Sequence, residues 1–181
     1  MIQRLSKRIL EGWLGYRVVC DQPHPDKYVI ALAPHTSNWD FIIGMLHSYA
    51  YGTRCQFMMK KAWFFWPMGC LMRALGGIPV NRSRRASLTD QLAQVARQST
   101  TFHLCITPEG TRKRVTEWKR GFYYIALKAD IPILLYKLDY ANRTIECTKT
   151  IRPNGDYFAQ LEEIKAYYKD CQGKHPRHFS V

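Results

Sequence analysis

The sequence predicts an α/β fold, a mixed and mostly parallel sheet with helices on its faces. Three observations point there. Short apolar runs with β-branched residues alternate with longer segments of helical period. The run Tyr28–Ala33 (YVIALA) is apolar without alternation, as in a strand covered on both faces. The 181 residues are 46% hydrophobic and 23% charged, enough for one buried core, and no repeat, linker or low-complexity stretch divides them.

The elements follow in order. Residues 2–14 read as an amphipathic helix, with Ile2, Leu5, Ile9, Trp13 and Leu14 near helical spacing and Arg4, Lys7 and Arg8 between them. Such a helix either lies in an anionic membrane interface or packs on the domain. Tyr28–Ala33 is a strand that Pro34 stops. A polar turn, His35–Asn38, leads into a helix from Trp39 to about Tyr51, with Ser37 or Asn38 as its N-cap. Gln56–Met59 is a strand, Phe64–Leu75 a helix broken near Pro67, and Ile78–Val80 a short strand. Leu88–Gln98 is a helix with Leu88, Leu92 and Val95 on one face. Phe102–Ile106 is a strand and Phe122–Ala129 a helix. Ile133–Leu138 and Thr144–Thr150 are strands, Asp156–Lys169 a closing helix, and the tail GKHPRHFSV is expected to fray.

Charge narrows the partners. Lys and Arg number 27 against 14 Asp and Glu, a net +13, which favours phosphate, nucleic acid, an acidic carrier or an anionic membrane. No continuous apolar segment has the length of a signal peptide core or a spanning helix; Ala62–Val80 is interrupted by Pro67, Gly69, Arg73, Gly76, Gly77 and Pro79. The six cysteines show no CxxC spacing, so buried free thiols in a reducing compartment are expected, with no metal site.

Three polar blocks carry candidate chemistry. In HTSNWD, an H-x4-D spacing at a strand-to-helix turn, Asp40 can fold back to accept a bond from His35 Nδ1 and leave the other ring nitrogen free to take a proton. Spacing alone leaves open a surface histidine and an aspartate that only complements the helix N-terminus. In TPEGTRK, after the strand Phe102–Ile106, Glu109 can orient a hydroxyl or hold a cation, Gly110 permits a positive φ, and Arg112 offers a planar fork to phosphate. In GGIPVNR, two glycines and a short strand can bring Arg82 to the same cleft. A fourth block, IPIL, starts at Ile131 and serves packing.

Taken together and in this order, HTSNWD, GGIPVNR, TPEGTRK and IPIL resemble the glycerophospholipid acyltransferase family, whose type members are the 1-acylglycerol-3-phosphate O-acyltransferases. The resemblance covers about residues 28–138. It implies a glycerol-phosphate-acyltransferase-like fold, with residues 1–181 a single acyltransferase domain. It also implies transfer of an acyl chain from acyl-CoA or acyl-ACP to a hydroxyl, with no bound cofactor and no covalent acyl-enzyme. By that resemblance His35 is the general base and Asp40 its partner. Arg82, Glu109, Gly110, Thr111 and Arg112 bind the acceptor, a lysophospholipid. Oxyanion donors are expected near Gly77 or Ile78, or at the helix start. The sequence departs from the family pattern at Pro34, Trp39, Thr107 and Lys113, which leaves the acceptor open between lysophosphatidic acid, another lyso-lipid and a lyso-amino-acid lipid.

The aromatic segment Trp63–Trp66 with Met68, Leu71 and Met72, beside Lys60, Lys61 and Arg73, suits either an interfacial surface or an acyl-chain channel, or else the core. The expected place of action is the cytoplasmic face of the cell membrane. The rivals are a non-catalytic lipid-binding protein of the same fold and a basic nucleic-acid-binding module. No RNP, KH, zinc-finger or helix-turn-helix signature supports the latter, so no nucleic-acid partner is expected. Cys105 has no adjacent histidine except His103 and reads as core.

Overall fold

The computed structural model describes residues 1–80 and 85–181, with side chains described outside residues 80–87. Seven strands form one sheet in the order β1-β7-β6-β2-β5-β3-β4. They are β1 (Arg17–Cys20), β2 (Lys27–Ala33), β3 (Gln56–Lys60), β4 (Gly77–Val80), β5 (Phe102–Ile106), β6 (Ile133–Asp139) and β7 (Thr144–Ile151). Neighbours run parallel except β6 and β7, which are antiparallel. The helices are α1 (Ile2–Lys7), α2 (Trp39–Tyr51), α3 (Met68–Ala74), α4 (Arg85–Gln98), α5 (Gly121–Ala129) and α6 (Tyr157–Tyr167).

Strand β2 shows why its sequence lacks alternation. Val29, Ala31 and Ala33 enter a core with Phe102, Leu104, Phe122, Ile125 and Tyr168. Tyr28 and Ile30 enter a second core with Leu10, Ile43, Leu134 and Tyr136. Successive side chains leave opposite faces of a strand, so a strand covered on both sides is apolar throughout.

Several expectations need correction. Strand β1 was not expected: only Val18 and Val19 are apolar in it, and β7 recruits it as an edge strand. The helix expected over Phe64–Leu75 with a break near Pro67 is helical only over Met68–Ala74, because proline disfavours helical backbone at the residue before it, here Trp66. Residues 61–63 form a 3-10 turn instead. On α4, Leu92, Ala93 and Ala96 are buried while Val95 is exposed. Helix α1 continues as a π-helix over Arg8–Trp13. It buries Leu10 completely but leaves Ile2, Leu5 and Trp13 exposed, so one face packs and the other does not.

The tail does not fray. Tyr140 N–H donates to the Gln172 carbonyl (2.9 Å) and Ser180 Oγ to the Val115 carbonyl (2.9 Å). The cysteines also differ from expectation. All six are free, but only Cys147 and Cys171 are buried, Cys55 and Cys105 are half-buried, and Cys20 and Cys70 are exposed.

Candidate active site

Parallel packing puts the C-terminal ends of β5, β2 and β6 side by side, where open α/β sheets bind ligands. The three ends deliver four side chains. After β2 come His35 and, in the first turn of α2, Asp40; after β5 comes Glu109; after β6 comes Tyr140.

Asp40 is the hub. Its Oδ2 accepts the backbone N–H of Thr36 (2.8 Å) and Ser37 (2.9 Å). Its Oδ1 accepts the Tyr140 hydroxyl (2.6 Å). The carboxylate thus ties the turn before α2 back onto the first helical turn. Asn38 makes no side-chain cap, whereas Ser37 Oγ accepts the Trp39 N–H (3.2 Å) at the start of α2, the bond expected of an N-cap. His35 Nδ1 stands 3.1 Å from Asp40 Oδ2. This is a close approach rather than an aligned hydrogen bond, since Nδ1 has no aligned acceptor. Unliganded sites often tighten such contacts only with substrate bound. Burial raises the Asp40 pKa, yet the contacts from His35, Tyr140 and Ser37 outweigh it and hold the carboxyl below its ordinary value. Asp40 is therefore held toward its anionic form, 1% exposed, beside the His35 imidazole.

Glu109 comes to the same place from the other side. Its Oε1 accepts the His35 backbone N–H (2.9 Å), while Oε2 is buried without a partner. Burial, with Asp40 adding to it, lifts its pKa to about 7 against the pull of the His35 N–H. The residue expected to touch the acceptor thus braces the His35 backbone. Gly110 has φ +66 and turns the chain, and a Cβ there would meet Lys119 Cγ at 3.0 Å. Thr111 and Arg112 are exposed on that loop. Arg82 lies outside the described residues. At the helix start the N–H groups of Thr36, Ser37 and Trp39 are already bonded, which leaves those of Asn38 and Asp40 as the candidate oxyanion donors there.

A cavity of ≈ 650 Å³, counting its solvent-open mouth, opens beside Asp40. Leu32, Phe41, Ile43, His47 and Tyr136 line it, between α2 and the sheet. Cys105 lines it too, and burial pushes its thiol pKa up, away from a thiolate nucleophile.

Sequence reasoning missed Tyr140 and the tail. His175 N–H donates to Thr36 Oγ1 (3.2 Å), and a Cβ on Gly173 would stand 2.6 Å from that oxygen. The tail thus closes on the turn that carries His35. Contacts across 100 and 139 residues leave no local signal.

The Acyltransferase family model matches residues 17–134, which span β1 through the start of β6. The chain belongs to the acyltransferase family. No curated protein matches the sequence. Among solved structures, the chain resembles the crystal structure of the 1-acyl-sn-glycerophosphate (LPA) acyltransferase, PlsC, from Thermotoga maritima. The TM-score is 0.63 at 17% identity, with 93% of this chain and 75% of that one covered. This likeness bears out the expected mixed, mostly parallel α/β fold. Among the described residues, no helix of this acyltransferase is long and apolar enough to cross a membrane.

Proposed function

We propose that this acyltransferase moves an acyl chain from acyl-CoA or acyl-ACP to the hydroxyl of a lysophospholipid such as 1-acylglycerol-3-phosphate. The observation that carries the reading is the His35–Asp40 pair, its carboxylate fixed by two backbone N–H groups and Tyr140. His35 takes the acceptor proton at its outer nitrogen while the hydroxyl oxygen attacks the thioester carbonyl. The tetrahedral intermediate then expels the thiolate, which recovers the proton from His35. Asp40 stabilises the imidazolium between the two transfers. Every step uses protein groups, with no bound cofactor. The apolar cavity beside Asp40 suits the acyl chain. Arg112, with Arg82, supplies cations for the acceptor phosphate.

The proposed workplace is the anionic inner surface of the cell membrane, with residues 1–181 acting as one domain. Exposed Trp63, Phe65, Trp66 and Leu71, exposed Ile2, Leu5 and Trp13, and the +13 charge support that reading.

The test is thiol release from palmitoyl-CoA or palmitoyl-ACP, with lysophosphatidic acid or a lyso-amino-acid lipid as acceptor. Release is expected to depend on acceptor and to fall about 10²–10⁴-fold in His35→Ala, the range for loss of a general base. Undiminished release in His35→Ala refutes the dyad. Lipid binding without release from either donor refutes catalysis and leaves a binding protein.

A further inference from the structure

The sheet carries a second cluster of chemistry at its β1 edge. Cys20 and Cys147 are directly paired residues of the parallel strands β1 and β7. His24, in the loop that follows β1, folds back over them. The Cys20 Sγ, Cys147 Sγ and a His24 ring nitrogen all lie within 4.8 Å of one another. Cys20 Sγ is 4.0 Å from His24 Nε2. The Tyr136 hydroxyl sits 2.6 Å from the same nitrogen and 3.8 Å from Cys20 Sγ.

Side-chain adjustments of at most about an ångström bring these three donors around one ion. Tetrahedral zinc, with Zn–S near 2.3 Å and Zn–N near 2.0–2.1 Å, needs S···N and S···S separations of roughly 3.6–3.8 Å. The Cys20–His24 pair must close by only about half an ångström, a side-chain adjustment. The donor set is right as well, since thiolate and imidazole together select zinc-type ions over magnesium or calcium. Cys147 is buried, whereas Cys20 is exposed, so an ion has an entry side and a closed back wall. The cluster was illegible in the sequence because Cys20 and His24 give a C-x3-H pair and the third donor arrives from β7.

We propose that Cys20, His24 and Cys147 form a Cys2His site for zinc that clamps the edge strand β1 to β7, separate from the acyl-transfer chemistry. The Tyr136 hydroxyl, 2.6 Å from His24 Nε2, gives up that hydrogen bond to the ion, and a water completes the fourth corner. Binding displaces two thiol protons to solvent. Because those protons compete with the ion, uptake strengthens as pH rises. Because the ion binds only where β1 and β7 are paired, it also stabilises the fold by mass action.

The test uses reduced full-length protein titrated with Co(II) and then Zn(II). One Co(II) per chain is expected, with thiolate-to-metal charge-transfer absorption and the visible bands of a tetrahedral centre, displaced by Zn(II). Cys20→Ser, at an exposed position that leaves the fold intact, and His24→Gln should each weaken binding by more than about 100-fold, the upper end for removing merely an outer-sphere partner. Zn(II) should also protect Cys20 from alkylation and raise Tm in the wild type but not in Cys20→Ser. Absence of the charge-transfer band overturns the proposal. So does a band unchanged in Cys20→Ser, or Cys20 alkylated equally fast with Zn(II) present.

Discussion

Glu109 links the stability of the fold to the site, and its replacement gives a sharp test. The side chain is 2% exposed; one oxygen accepts the His35 N–H and the other has no partner. Its pKa moves from 4.5 to about 7. The folded carboxyl therefore holds its proton more tightly than the unfolded one. Below about pH 4.5 this costs nothing, and as pH rises through 7 the fold must bear a buried, poorly solvated charge. The shift, 7 − 4.5 or about 2.5 pH units, corresponds at roughly 1.4 kcal/mol per unit to about 3 kcal/mol of stability lost by pH 8.

His47 works in the opposite sense. It is buried under Tyr136 and Tyr51, and burial lowers its pKa from 6.5 to about 4. Its contribution is present above pH 6.5 and lost as pH falls through 4. The two slopes nearly cancel between about pH 4.5 and 6.5. A wild-type curve alone would look flat, so the informative quantity is the difference between wild type and Glu109→Gln, measured by urea unfolding at pH 4.5, 6 and 8. Glutamine keeps an acceptor for the His35 N–H but cannot ionise. The variant is expected to gain about 3 kcal/mol relative to wild type from the acid to the alkaline end. A difference that does not change with pH refutes the assignment of a raised, buried carboxyl.

Tyr140→Phe removes the 2.6 Å bond to Asp40, a charged-acceptor bond worth about 1.5–3 kcal/mol. Because Tyr140 helps hold the Asp40 pKa down, the acid-side loss of activity should move to higher pH. The turnover number kcat should fall about tenfold at neutral pH while acceptor KM holds; an unmoved acid limb rules out a positioning role for Tyr140. Gly173→Val places a Cβ 2.6 Å from Thr36 Oγ1 and 2.7 Å from its methyl carbon. Overpacking of this kind costs about 1–3 kcal/mol and should lower both the urea midpoint and turnover. An unchanged midpoint shows that the tail does not brace the His35 turn.

Much of this protein was legible residue by residue. Strand Phe102–Ile106 and helix Trp39–Tyr51 appear where periodicity and turn residues put them. Continuous apolar runs marked the strands covered on both faces. The H-x4-D pair was legible because its partners lie five residues apart, so one turn and the first helical turn suffice to bring His35 beside Asp40. These are short-range properties, decided by backbone propensity and local hydrogen bonding, and a sequence carries them whatever surrounds it.

The remainder required the strand order. Glu109 meets His35 because β5 lies against β2, and Tyr140 meets Asp40 because β6 lies on the other side. The tail closes on Thr36 at Gly173, and Cys147 joins Cys20 because β7 recruits a weak edge strand. None of these contacts has a local cause. Strand order follows from burying two apolar faces at once, and that global balance, rather than any segment's own preference, decides which distant polar groups stand side by side.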